Sequence, residues 1–317
     1  MHAELVSFLR CPHCGGEFAA APYSLQCANG HSFDIARQGY VNLLPGGAST
    51  GTADTAAMVA AREAFLGAGH FAGLRQMVAE TAARVTPVSD ASAPPASRSD
   101  TSPSCIIEVG AGTGYYLAGV LERLPDRLGL ALDLSKFALR RAAWAHGRIG
   151  AVVCDTWTRL PVRDGCAALV LDIFAPRNAS EFRRALEPEG RLIVVTPTQR
   201  HLAELIPTLG LVSIDSTKQK RLDQKLASDF ALVESARHEK SLALAPHEIA
   251  AAVGMGPSSR HLQDDELGRR IDRLALSAPR AASGAAPGAA PEPVRERSLP
   301  VTISVTVSVS ISVYRPL

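Results

Sequence analysis

At 317 residues, 46% hydrophobic and 20% charged, the chain can bury a full core, and its length suits one large domain carrying at most a small appendage. A formal net charge of +2 neither demands nor excludes a polyanionic partner, because a basic footprint has to be local to matter. Met1 to Arg10 includes Glu4 and lacks the apolar run of a signal peptide, and no later stretch supplies the roughly 20 apolar residues that span a bilayer. A cytoplasmic protein with no membrane contact is expected.

The chain opens with a Cys/His-rich stretch over residues 1–45, read as a zinc-binding module. Cys11-Pro12-His13-Cys14 and Cys27-Ala28-Asn29-Gly30-His31 place ligands as Cys-x2-Cys, twelve residues, then Cys-x3-His. Thiolate and imidazole suit tetrahedral zinc, and Cys11, Cys14, Cys27 and His31 fill four positions, which makes the ion structural. The competing readings are that some of these cysteines are free core thiols, or that His13 replaces a ligand. Cys105, Cys154 and Cys166 lie beside apolar runs and read as core residues.

Residues 46–85 form a helical connecting segment. Met58, Ala61 and Phe65, then Leu74, Met77 and Val78, recur at helical intervals, so two helices are expected, broken near Gly67 to Gly69. The Ser-, Pro- and Ala-rich segment 86–104 has too little apolar surface to offset its ordering entropy and reads as a flexible linker.

From residue 105 to 317, short apolar runs alternate with amphipathic stretches. Cys105–Val109, Leu128–Leu132, Ala151–Cys154, Ala168–Phe174 and Arg191–Val195 read as strands. Tyr115–Leu124, Lys136–Ala145, Ser180–Leu186 and Gln199–Leu209 read as helices. The alternation predicts an α/β fold built on a parallel sheet with crossover helices. Leu232–Leu244 and Val301–Val313 close the sheet; in the latter Val and Ile hold every odd position, Ser and Thr every even one. The Ala/Pro-rich stretch 279–297 between them reads as a loop.

Glu108-Val109-Gly110-Ala111-Gly112-Thr113-Gly114-Tyr115 joins a predicted strand to a predicted helix, at the carboxyl end of the sheet where ligands approach the backbone. The loop alone does not separate a dinucleotide from S-adenosylmethionine. Glu108, Asp133 and Asp155, each ending one of three successive strands, favour the latter: in methyltransferases the second position takes the ribose diol and the third the adenine amino group. Gly110, Gly112, Gly114 and Tyr115 complete the expected cofactor site. Asp133 as a mere helix cap, Asp155 as a loop residue and Trp157 as either a stacking or a core ring stay open.

These motifs, taken together, resemble the 23S ribosomal RNA (guanine-N1)-methyltransferase family along nearly the whole chain. The likeness rests on the cysteine module with Gly30-His31-Ser32-Phe33-Asp34, Gly39 to Leu44, Ala61-Arg62, Gly69-His70-Phe71 and the Glu108 to Tyr116 loop. It extends to Phe174-Ala175-Pro176, Thr196-Pro197 and Arg200-His201-Leu202. Arg177-Asn178, Met255 to Ser259 and Tyr314-Arg315-Pro316 resemble the actinobacterial, tylosin-resistance type, whose target is the guanine numbered 748 rather than 745. Segments 86–104 and 279–297 are longer than the family needs.

The resemblance implies a Rossmann-like class I S-adenosylmethionine-dependent methyltransferase with a small N-terminal zinc-binding module, acting on a 23S rRNA hairpin loop, with a homodimer as the assembly. Guanine N1 carries a proton that must leave, so a base has to face the methyl group. Asp172 is the candidate base, with Asn178 or Arg177 holding the guanine edge and Phe174 or Tyr116 stacking. Lys218, Lys220, Arg221 and Lys225 are candidate phosphate contacts. A small-molecule methyltransferase would keep the loop without needing the zinc module; a non-catalytic RNA-binding module would keep the zinc without needing the acidic strand ends.

Overall fold

The computed structural model describes residues 2–86, 104–211, 225–261, 264–277 and 301–317. The expected linker, the 279–297 loop and Lys218, Lys220 and Arg221 therefore lie wholly or almost wholly outside the described residues, whereas Lys225 is within them. In chain order the elements begin with α1 (Ala3–Val6), the short strands β1 (Phe18–Ala20), β2 (Ser24–Cys27), β3 (Ser32–Asp34) and β4 (Tyr40–Asn42), and the helices α2 (Ala56–Gly67) and α3 (Ala72–Val85). There follow β5 (Cys105–Val109), α4 (Tyr115–Arg123), β6 (Gly129–Asp133), α5 (Lys136–Ala145), β7 (Ile149–Val153), β8 (Ala167–Ile173), α6 (Ala179–Ala185) and β9 (Leu186–Pro197). The chain ends with α7 (Ile206–Leu209), β10 (Phe230–Leu244), α8 (Pro246–Gly254), α9 (Asp264–Ser277) and β11 (Ile303–Pro316).

One large sheet runs in the order β10-β11-β9-β8-β5-β6-β7-β4. From β4 to β9 neighbouring strands are parallel, while β11 is antiparallel to both β9 and β10. The sheet is thus mixed rather than parallel throughout. The long strands β10 and β11 form an antiparallel ladder from Phe230↔Pro316 to Leu244↔Ile303, with one register shift between Leu232 and Glu234, and antiparallel neighbours need no crossover helix.

Every residue of β5 is buried, as a strand covered on both faces requires. Ile106 packs with Leu169, Ile193 and the helices α3, α4 and α8. Ile107 and Val109 point the other way, into a second cluster shared with Leu5, Phe8, Leu9 and Leu25 of the N-terminal segment. That segment is also stitched on by backbone bonds, Arg163 N to Phe8 O at 2.7 Å and Arg10 N to Pro161 O at 2.9 Å. The strand β4, absent from the sequence reading, extends the sheet by pairing Tyr40–Asn42 with Ala151–Val153. Its three residues are too few to show a period.

The helix expected over Gln199–Leu209 shrinks to the single turn α7. Leu202 takes a left-handed φ of 55° and donates its N–H to Thr306 O at 2.8 Å, and Pro207 offers no N–H to an extended helix. Cys105, Cys154 and Cys166 are buried thiols, as expected. Chain order reverses at β5: β6 and β7 lie to one side of it, β8 and β9 to the other. A crevice for ligands opens at the carboxyl ends of strands flanking such a reversal.

Candidate active site and metal centre

The loop after β5 turns on glycine. Gly110 has φ 67°, and a Cβ there would stand 2.5 Å from Ala175 Cβ, so the loop after β8 crosses directly over it. Gly114, at φ 75°, lets Ala142 of α5 approach within 3.1 Å of where a Cβ would stand. Gly110 and Ala111 both donate to Leu132 O, at 2.8 and 3.0 Å, locking the loop to the end of β6. Tyr115 begins α4, and the Arg75 guanidinium stands 5.4 Å over its ring.

The three acidic strand ends occupy three different positions. Asp133 is half-buried; its Oδ2 accepts from Gly112 N and its Oδ1 from Ser135 N, each at 2.8 Å. Burial raises its pKa, and those two N–H groups oppose the rise. Glu108 stands behind the loop, 1% exposed, accepting from Leu117 N of α4 at 3.1 Å; burial pushes its carboxyl up to about 8. Asp155 is half-buried and accepts from Trp157 N at 2.9 Å, leaving Trp157 itself on the surface. Asp133 and Asp155 therefore flank the crevice while Glu108 supports it from inside.

At the end of β8, Asp172 is 1% exposed. Burial pushes its carboxyl up to about 8 against the opposing Arg177 charge and the Ala175 N–H, and its Oδ2 is buried without a hydrogen-bond partner. The chain then turns at Phe174, a non-glycine residue at φ 55°, a conformation that costs on the order of 1–3 kcal/mol and collects at functional sites. The strained turn leaves the Phe174 ring 39% exposed. Its inner neighbours are His201 and Phe71, with ring centroids 6.0 and 6.4 Å away. Burial drives His201 down to about 4, so its imidazole is neutral near pH 7. Asn178 donates from Nδ2 to Thr156 O and Thr158 O at 3.2 and 2.9 Å. Its two amide protons thus hold the Asp155 loop, and its Oδ1, which accepts from Ser180 Oγ at 3.5 Å, keeps a second lone pair as an acceptor.

Over the glycine loop lies a cover that the sequence reading did not assign. Arg62 donates to Asp54 Oδ2 at 2.6 Å and to Met255 O at 2.9 Å. Arg260 clasps the carbonyls of Gly51, Thr52 and Ala53 at 2.6–3.0 Å, and Ser135 donates to Asp54 O at 2.6 Å. The Arg62 side chain passes 3.5 Å from where a Gly112 Cβ would stand. The Ala61-Arg62 and Met255 to Ser259 segments, which the sequence marks only as family resemblances, thus meet through Arg62, which also holds Asp54.

Cys11, Cys14, Cys27 and His31 converge, with their ligand atoms all within 4.8 Å of one another. Cys14 Sγ and Cys27 Sγ are 3.7 Å apart and Cys27 Sγ and His31 Nδ1 3.3 Å. A tetrahedron with bonds of about 2.3 Å to sulfur has edges near 3.8 Å, so the cluster is already spaced for zinc. A hydrogen bond from Gly16 N–H, foremost, holds the Cys14 thiol down to about 6, which favours the thiolate a metal needs. His13 is not among these four converging groups; its ring stacks on Phe33, with centroids 5.7 Å apart.

The N-terminal stretch, residues 9–48, matches the family model described as "RlmA, N-terminal", a zinc ribbon. Over nearly its whole length the chain is similar to the 23S rRNA (guanine(748)-N(1))-methyltransferase of Streptomyces fradiae, with 47% identity over 86% of this chain and 93% of that one. It belongs to the 23S rRNA (guanine-N1)-methyltransferase family. A Micromonospora griseorubida protein provisionally given the family's name is 48% identical over 88% of this chain and 95% of its own. Among solved structures, geranyl diphosphate C-methyltransferase from Streptomyces coelicolor is similar at a TM-score of 0.34 and 11% identity, covering 67% of this chain and 69% of that one.

The family is S-adenosylmethionine-dependent, and the residues present fit that cofactor. Asp133 spends one lone pair of each carboxylate oxygen on backbone N–H groups; a carboxylate offers about four such sites, so acceptors remain for a ribose diol. The fold is that of a Rossmann-like class I methyltransferase with an N-terminal zinc ribbon. Among the described residues no helix is long and apolar enough to cross a membrane.

Proposed function

We propose that this chain transfers the methyl group of S-adenosylmethionine to N1 of a guanine in 23S rRNA, the guanine numbered 748, and thereby confers resistance to tylosin-type macrolides. What carries the reading is the 47% identity spread over 93% of the Streptomyces fradiae enzyme named for that guanine. A hairpin loop as the RNA element, a cytoplasmic location and a homodimeric assembly belong to the same proposal and rest on the family resemblance.

In this reading Gly110, Gly112, Gly114, Tyr115, Asp133 and Asp155 form the cofactor site, with Glu108 bracing its loop from behind, and Cys11, Cys14, Cys27 and His31 hold structural zinc. S-adenosylmethionine supplies, when bound, an electrophilic methyl group on a cationic sulfur, whose charge favours the ionised form of a nearby carboxyl group. Asp172 takes the N1 proton of guanine on its unpartnered Oδ2. Burial, which holds this carboxyl near 8, makes it a far stronger base than an exposed aspartate. Asn178 Oδ1 accepts from the guanine exocyclic amino group, since both protons of its own amide are committed to Thr156 and Thr158. Phe174 offers its exposed ring face for stacking on the base, which must be unstacked from its neighbours to reach this depth.

The test is methyl transfer to two 23S rRNA transcripts that differ only at position 748, guanine in one and adenine in the other. Labelling of the guanine transcript alone is expected. Equal labelling of both would reject the assigned nucleotide.

A further inference from the structure

The ladder of β9, β11 and β10 has two unlike faces. Val305, Val307, Val309, Ile311 and Val313 enter the core. The opposite face aligns Arg237 with Ser310 and Thr196, and Ser235 with Ser312. Above that face lies a trench of about 630 Å³ whose lining includes Arg177, Arg200, Arg237 and these hydroxyl residues, and no carboxylate among the described residues.

We infer that this trench binds the phosphodiester backbone of the RNA beside the target base. The inference rests on the proposed function and deepens it. Three features point to RNA. The first is position: Arg177 lies on the loop that follows Asp172, and Thr196 to Arg200 follow β9, which ends beside β8 with Ile173 paired to Val195. The trench therefore starts at the same end of the sheet as the candidate active site, and a strand whose base reaches Asp172 passes over it. The second is charge: Arg200 keeps a partner in Glu239 at 2.8 Å, and the three charged residues of the lining, Arg177, Arg200 and Arg237, are all cations, the sign that attracts phosphate. The third is the hydroxyl row. Ser235 Oγ lies 3.1 Å from Ser310 Oγ and 3.0 Å from Ser312 Oγ, so three hydroxyl protons serve two internal contacts and one remains to donate outward. Leu232, 58% exposed at the trench wall, adds an apolar surface for a ribose or base.

The experiment measures steady-state methylation of a 23S rRNA hairpin transcript by wild type, Arg237→Ala, Arg237→Glu and Arg237→Lys over a range of salt. Arg237 is exposed, and S-adenosylmethionine binding and thermal unfolding of each variant check that the fold persists. Loss of one phosphate contact should lower the slope of log KM against log salt by about one and raise KM for RNA roughly fivefold near physiological salt, with kcat within about twofold. Arg237→Glu should exceed that rise and Arg237→Lys should stay near wild type. An unchanged KM and salt slope in both Arg237→Ala and Arg237→Glu, with wild type active on RNA, would overturn the trench and leave the proposed function standing. A wild type that methylates no RNA would overturn both.

Discussion

Replacing Gly110 with alanine should damage the protein in two separable ways. The left-handed φ of 67° costs an L-residue roughly 1–2 kcal/mol. The added methyl group would also stand 2.5 Å from Ala175 Cβ, and overpacking of this kind costs about 1–3 kcal/mol. Together these amount to roughly 2–5 kcal/mol, a fall in melting temperature on the order of 10 °C for a domain of this size. The clash can be removed from the other side. In Gly110→Ala/Ala175→Gly the nearest remaining atoms are Ala175 Cα at 3.6 Å and Pro176 Cδ at 3.8 Å, ordinary contacts, so the double variant should recover about 1–3 kcal/mol and keep only the backbone strain. Calorimetric unfolding of the four proteins gives the coupling directly. Additive losses would show that contact between the two loops is not what Gly110 relieves. The same contact joins the glycine loop to the Asp172–Phe174 turn, so the single variant should also lower methyl transfer more than the double one does.

The remaining expectations concern the acids and the metal. Asp172→Asn should cut methyl transfer by about 10²–10⁴-fold; retention of wild-type rates would remove Asp172 from proton transfer. Because burial raises the folded-state pKa of Asp172 to about 8, its contribution to stability is full below about pH 4, its unfolded value, and is lost as pH rises through about 8. Asp172→Asn should therefore flatten the fall of melting temperature over that window and be at least as stable as wild type at pH 8.5, with Glu108, raised in the same direction, keeping part of the slope. Asp133→Ala should weaken S-adenosylmethionine binding about 10–100-fold by calorimetric titration, and an unchanged affinity would take the ribose away from Asp133. Cys27→Ser, or a strong chelator, should release zinc and lower the unfolding temperature of the whole chain, because the module's Leu5, Phe8, Leu9 and Leu25 share a buried cluster with Ile107 and Val109 of the central strand. A metal-free protein that melts as wild type does would contradict that coupling.

Much of the framework is legible in the sequence because it depends on short-range signals. Cysteine spacing announces the metal ligands, continuous apolar runs mark strands covered on both faces, and strict alternation announces β11. The glycine loop after β5 is legible because its glycines meet a local backbone demand. What sequence reading misses depends on contacts far apart in the chain. The short strand β4 exists because β7 offers it an edge. The Gln199–Leu209 helix gives way because Leu202 finds a partner in Thr306, more than a hundred positions onward. The Arg62 and Arg260 clasp on residues 51–54 joins helix α2 to the turn after α8, and nothing local to either arginine signals it. Glu108 reads in sequence as one of three equivalent acids, yet its side chain turns into the start of α4, a direction fixed by strand register rather than by residue type.

The most direct measurement of what this chain does is incubation of the purified protein with tritiated S-adenosylmethionine and 23S rRNA lacking the modification, followed by primer extension to locate N1-methylguanosine. A single new stop assigned to the guanine numbered 748, together with tritium in the RNA, is the expected result. Binding of S-adenosylmethionine with no tritium in the RNA, or a stop assigned to a different nucleotide, would contradict it.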